Sequence, residues 1–388
     1  MSSHDPIVIA GAARTPMGAF QGAFKSVGAT ELGAAAVREA VARAGIAADA
    51  VDEVIMGCVL PAGLGQAPAR QAALGAGLPL SVPCATLNKV CGSGMKTTML
   101  AHDLIAAGSA DIVVAGGMES MTNAPYLLDK ARGGYRIGHG KLYDHMFLDG
   151  LEDAYDKGRA MGTFAEDTAQ HYQFTREAQD EYALTSLQRS LKAIADGAFR
   201  SEIVSVAGVV DDEQPSKAKP EKIPQLKPAF REGGTVTAAN SSSISDGGAA
   251  LIITRLSTAE KNGMTPLAKI LGHASHAQEP AWFTTAPVFA MRKLLERLGW
   301  KSSDVDLYEI NEAFAVVAMA AMRELDLPHD KVNVNGGACA LGHPIGCSGA
   351  RIIVTLLAAL KARGEKRGMA SLCIGGGEAT ALAVEIMQ

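Results

Sequence analysis

The chain has 388 residues, of which 48% are hydrophobic and 20% charged, with 42 glycines, six cysteines and a formal net charge of −5. That length and composition bury a sizeable core, enough for two or three domains or one large layered unit. The acidic balance speaks against a nucleic-acid partner. Six cysteines without a Cys-x-x-Cys pair suggest neither a disulfide framework nor a zinc site, so no metal is expected.

Ile7-Val8-Ile9-Ala10 reads as a buried strand ended by Gly11. Thr30 can cap a helix carrying Leu32, Val37, Ala40, Val41 and Ala44, which Gly45 can end. Val54-Ile55-Met56 is the next strand, followed by a helix near 66–76 and an extended stretch to Asn88. A helix after Cys91 then runs to about Ala107, closed by Gly108, and Ile112–Ala115 forms a strand ending at Gly116-Gly117-Met118-Glu119. Strands are also expected at 267–271, 307–310, 331–334 and 371–374, and helices at 285–298, 312–325 and 348–362. Alternating strands and helices define an α/β protein with a mostly parallel, helix-covered sheet.

Two runs repeat. Cys91-Gly-Ser-Gly and Cys347-Ser-Gly each open a helix, and Gly116-Gly117-Met118-Glu119 has a counterpart in Gly375-Gly376-Gly377-Glu378. Their matching order predicts a duplicated α/β unit, with halves over 1–119 plus 246–266 and over 267–388. An insertion over 120–245 separates them. Its helix is capped by Thr175 and amphipathic through Tyr182, Leu187, Leu191 and Ile194. A Pro- and Lys-rich segment follows. Such an insertion suits covering a site, decorating a surface or making an oligomer contact. No apolar run reads as a membrane span. Met1–Pro6 lacks the regions of an export signal, so a reducing cytoplasm is expected.

Cys91 lies where an extended segment gives way to a helix. Free amides and the helix dipole there favour a thiolate, so a lowered pKa and a nucleophilic role are expected. His343 lies in the Gly-rich loop Gly342-His343-Pro344, Cys373 ends a strand, and Asn311 stands before a helix it can cap. Singly, each also fits a purely structural role. Together they gather at strand ends, where α/β folds collect ligand sites.

Over essentially its whole length the chain resembles the thiolase family, of the acetyl-CoA acetyltransferase type. The matching segments are 12–16, 88–94, 116–121, 311–314, 342–346 and 373–377. The resemblance implies mixed five-stranded sheets in a layered arrangement with an inserted loop domain. It implies a ping-pong reaction in which Cys91 attacks an acyl-CoA and His343 takes its proton. Cys373, poised near neutral pH, would deprotonate a second acetyl-CoA. His343 and a water held by Asn311 would receive the enolate oxygen, and the Cys91 and Gly375 amides the tetrahedral oxyanion. Ser242, Ala313, Phe314 and Met161 would line the coenzyme A arm, and Lys217, Lys219 or Lys222 would meet its phosphates. No cofactor is implied, since CoA thioesters are substrates. A homo-oligomer, a dimer of dimers, is implied as well.

The sequence departs from the family at Arg159-Ala160-Met161-Gly162, where Ala160 replaces an expected histidine, and at Trp282-Phe283. Both bear on acyl chain length. The chief alternative is therefore a broader 3-ketoacyl-CoA thiolase. An alternative of another class is a silent acyl-CoA-binding protein. Cys58, Cys84, Cys339 and Cys347 read as packing residues.

Overall fold

The computed structural model describes residues 5–387; Met1–His4, on which part of the reading of the leader rests, lie outside them. Nine long strands are β1 (Ile7–Arg14), β2 (Glu53–Gly57), β3 (Cys84–Leu87), β4 (Ile112–Ser120), β5 (Ser245–Arg255), β6 (Ala268–Ala277), β7 (Leu307–Ile310), β8 (Arg367–Ile374) and β9 (Glu378–Ile386). They run in the order β7-β8-β9-β6-β1-β5-β4-β2-β3. The principal helices are α1 (Ala29–Ala44), α2 (Pro68–Gly75), α3 (Ser93–Ala107), α4 (Met161–Tyr172), α5 (Arg176–Ala195), α6 (Ala286–Leu298), α7 (Ala315–Leu325) and α8 (Ile345–Arg363).

The path divides into two related sheets, of five strands and of four where five were expected, and its pairings are mostly antiparallel, not mostly parallel as the alternation of elements suggested. In the first, β2 pairs parallel with β3 and β4, and antiparallel β5 lies between β4 and β1. In the second, β7 pairs parallel with β8, and antiparallel β9 lies between β8 and β6. Two residue pairs, Val8–Lys269 and Ile9–Ala268, join them edge to edge. β1, β4 and β5 are almost wholly buried because helices cover both faces of the sheet. α3 and α8 share a middle layer whose core spans both sheets through Met95, Ile105, Ile352 and Leu356. α1 and α2 cover the outer face of the first sheet, and α6 and α7 that of the second.

The repeated Cys-Ser-Gly signature has a packing cause. A Cβ on Gly94 would lie 2.7 Å from the Ala350 amide nitrogen, and one on Gly349 would collide with the Met95 nitrogen. The helices therefore cross backbone to backbone at this pair of glycines. α8 is long and apolar enough to cross a membrane, contrary to the sequence reading. However, 83% of its apolar stretch is buried in this middle layer.

Several local expectations are corrected. The strand expected at 331–334 reduces to one bridge, Tyr308–Val332. Asn333 takes φ 48°, and its side chain bonds the Ile310 N–H and C=O instead of extending a ladder. α1 begins at Ala29 behind Gly28, whose N–H donates to Glu31 at 2.8 Å, so Thr30 is not its cap. α7 begins at Ala315, not 312, because Phe314 is extended and bridges Ser241. Asn311 is therefore free of any capping duty. β5 and β9 had no place in the sequence reading. In the insertion, Thr175 does cap α5, accepting from the Ala178 N–H at 3.2 Å. Tyr182 and Leu187 are buried as expected, whereas Leu191 faces solvent.

Candidate active site

Asn311 directly follows β7, Cys373 is the penultimate residue of β8, and Cys91 and His343 precede the two middle helices. Cys91 and His343 hold equivalent places, each two residues before α3 or α8. The Cys91 turn is strained and braced. Val90, a β-branched residue, takes φ 44°. Its N–H donates to Asn88 Oδ1 at 2.8 Å, its carbonyl accepts from Ser93 Oγ at 2.6 Å, and the Lys89 N–H donates to the same Oγ at 2.8 Å. An ion pair between Lys89 and Glu378 links the turn to the start of β9.

Cys91 is half-buried, and burial pushes its thiol up to about 11. The Gly375 and Cys91 amides donate toward its sulfur and pull the other way. The expected lowering by the helix terminus is thus outweighed by loss of water. Cys373 is fully buried, and its thiol is raised well above 9, first by burial and then by the neighbouring Cys91 thiol. It is therefore a thiol at neutral pH, not the near-neutral base expected. The glycines after it, Gly376 and Gly377, take φ 92° and 89°, which turns the Gly375 amide back over Cys91.

His343 is 5% exposed, and burial pushes its imidazole down to about 3, with the Arg351 guanidinium acting in the same direction. It is neutral at pH 7. Ser348 Oγ donates to the Pro344 carbonyl at 3.0 Å, so its contact of 2.5 Å with His343 Nδ1 is an acceptance of Nδ1–H. The hydrogen-bond pattern thus assigns the lone pair to Nε2, which faces Asn311 Nδ2 at 3.4 Å. Asn311 Oδ1 is buried and accepts nothing from the described residues. The His343 amide donates to the Ser243 carbonyl at 3.1 Å, fixing the loop to the end of the insertion.

Two buried carboxylates hold this arrangement, and the sequence reading gave neither a role. Glu119 accepts from the amides of Val59, Leu60 and Gly346 at 2.9–3.1 Å and from Cys58 Sγ at 3.6 Å. Glu312 accepts from Tyr182, Ser186, Asn333 and the Cys339 amide. Both lie inside the motifs that signalled the site. For Glu119, a carboxylate in an otherwise apolar, Gly-rich run was the available sign that backbone amides needed an acceptor there. Cys58, Cys339 and Cys347 have thiols raised by burial, in keeping with packing roles.

Met161, at the start of α4, puts its sulfur against Gly375. Ser242 donates its amide to the Ala313 carbonyl at 2.9 Å, and Phe314 packs edge-on against Phe230, 5.9 Å between rings. A cleft of about 330 Å³ is lined by Ser243, Cys339, Lys217, Lys219 and Lys222, and by none of Met161, Ser242, Ala313 and Phe314. Lys217 is paired with Glu213, whereas no ion pair holds Lys219 or Lys222 among the described residues. Phe283 is buried against Phe164, and Trp282 lies against His171. Both aromatics pack on α4 and neither lines the cleft.

Residues 7–257 match the model of the thiolase N-terminal domain, and residues 264–386 that of the thiolase C-terminal domain. The chain belongs to the thiolase family. It is 52% identical to acetyl-CoA acetyltransferase 2 of Arabidopsis thaliana, over 98% of this chain and 97% of that protein. It is 49% identical to the acetyl-CoA acetyltransferase of Cupriavidus necator, over 98% and 99%. The Acat5 thiolase of Ascaris suum, solved in complex with coenzyme A, superposes with a TM-score of 0.95 at 41% identity, covering 98% of this chain and all of that one.

Proposed function

We propose that this protein is an acetyl-CoA C-acetyltransferase, which condenses two acetyl-CoA to acetoacetyl-CoA and CoA and runs the reverse thiolysis. The observation that carries it is a Cys91 thiol that takes the Gly375 amide and neighbours the Cys373 thiol, together with a neutral His343 whose Nε2 faces Asn311. The names of the relatives support the same reading.

The resting protonation states set the order of proton moves. His343 Nε2 takes the Cys91 proton as the sulfur attacks the acetyl carbonyl, and the Cys91 and Gly375 amides receive the oxyanion. Each such donor is worth about 3 kcal/mol at the transition state. The C–S bond to CoA then breaks, and Cys373, a thiol at rest, protonates the leaving thiolate. The Cys373 thiolate so formed removes a methyl proton from the second acetyl-CoA. Protonated His343 and Asn311, through a bound water, stabilise the enolate oxygen. The carbanion attacks the acetyl group, Cys91 leaves as thiolate, and His343 returns its proton. Every proton is accounted for, and both thiols regain their starting state.

Ser242, Ala313, Phe314 and Met161 flank the pantetheine arm, and Lys219 and Lys222 take its phosphates. Lys217 is the weaker candidate because Glu213 already holds it. Two further expectations belong to this proposal. The outer edge of β3 has no strand partner among the described residues and offers Ala85 and Thr86 to a second copy. Tyr126, Leu128, Ile137 and Leu142 are exposed on the insertion and suit a dimer of dimers. The test of the reaction is CoA-dependent thiolysis across 3-ketoacyl-CoAs of increasing length. Activity greatest on acetoacetyl-CoA is expected, with Ala160 a tolerated substitution. A maximum at long chains would overturn the short-chain assignment, and no thiolysis at any length would overturn the enzyme.

A further inference from the structure

On the flank of the middle layer, away from the reacting thiols, His102 and Asp103 of α3 meet His273 of β6. Asp103 Oδ1 lies 3.2 Å from His102 Nδ1 and 3.0 Å from His273 Nε2. The two imidazole rings are 5.0 Å apart and nearly perpendicular, at 87°. The three donor atoms all fall within 4.8 Å of one another.

We propose that His102, Asp103 and His273 form a binding site for a divalent transition-metal ion. A tetrahedral ion with His nitrogen and carboxylate oxygen ligands at about 2.0–2.1 Å holds neighbouring ligand atoms roughly 3.3 Å apart. The two distances to Asp103 Oδ1 are close to that edge. Two imidazoles and one carboxylate are the donor set of open zinc sites and suit Co²⁺, Ni²⁺ and Zn²⁺ alike. The Asp103 side chain is 51% exposed, so solvent can supply a fourth ligand and the ion has an entry path. Lys96 lies close enough to His273 to oppose a cation, which keeps the affinity modest. None of the three residues belongs to the reaction proposed above, and no metal enters that chemistry. The ion would brace α3, the helix that Cys91 precedes, to the first strand of the second half.

The probe is Co²⁺, because its absorption reports its ligands. Tetrahedral binding to imidazole and carboxylate gives visible d–d bands, whereas cysteine thiolate adds intense near-ultraviolet charge transfer. Titration of the full chain with Co²⁺ is expected to give saturable visible bands without the thiolate band. A rise in Tm of at least about 2 °C is expected at a Co²⁺ concentration well above Kd. His273→Gln and His102→Gln should each remove both signals while leaving thiolysis without metal unchanged. Absence of visible bands in the parent would overturn the site, as would bands that persist in both variants. So would a thiolate band that disappears in Cys91→Ser.

Discussion

The two halves of the chain share a fold and divide the chemistry. α3 and α8 cross at Gly94 and Gly349, and each is preceded by a turn ending two residues earlier in a reactive side chain. In the first half that side chain is the Cys91 thiol, half-buried under the Gly375 amide. In the second it is His343, buried and held neutral. The ends of β4 and β8 differ likewise. The first places Glu119, a buried acceptor for three amides, and the second places Cys373 before a run of glycines, two of them with positive φ. Duplication therefore supplied two equivalent strand-end sites. Divergence gave the nucleophile and a structural carboxylate to one, and both proton carriers to the other.

The division can be broken most severely at the nucleophile. Cys91→Ser should lower acyl transfer by about 10⁴-fold or more, since an alkoxide is far harder to form than a thiolate, measured as acetoacetyl-CoA thiolysis. Removing the base from the other half, by His343→Ala, should cost roughly 10²–10⁴-fold in kcat, with KM for CoA nearly unchanged. The resting states can be sharpened by pH. With Cys91 near 11 in the free protein, alkylation by iodoacetamide should still rise about tenfold per pH unit from 8 to 10. A plateau below pH 8 would mean that the helix terminus overcomes burial after all. The smallest effect lies in the insertion. Lys219→Ala with Lys222→Ala should raise KM for CoA about five- to tenfold with kcat little changed, in keeping with two exposed charge contacts. Lys217→Ala should do less, because its charge is already engaged by Glu213.

The places of Cys91 before a helix, of His343 in a Gly-rich loop and of Cys373 near the end of a strand were legible because their Gly-rich settings punctuate an α/β pattern. The duplication was legible from the order of those punctuations. Other features required three dimensions. β5 and β9 are antiparallel strands inserted between elements that alternate in sequence, so the alternation alone did not announce them. The strand expected near Val332 failed because Asn333 bends back to serve Ile310. The thiol pKa values went the other way because burial depends on what the insertion and the opposite half place around a turn. Local sequence reports only the favourable amides. Glu119 and Glu312 are organised by partners far away in the chain, from Val59 to Gly346 and from Tyr182 to Cys339, so no local pattern assigned their contacts.

The most direct test of the division between the halves is intact and peptide mass spectrometry of Cys373→Ser after exposure to acetyl-CoA alone. One acetyl group on Cys91, with condensation blocked, is the expected result. A folded variant that acquires no acetyl group, or one that carries it on another residue, would contradict the assignment of nucleophile to one half and proton carrier to the other.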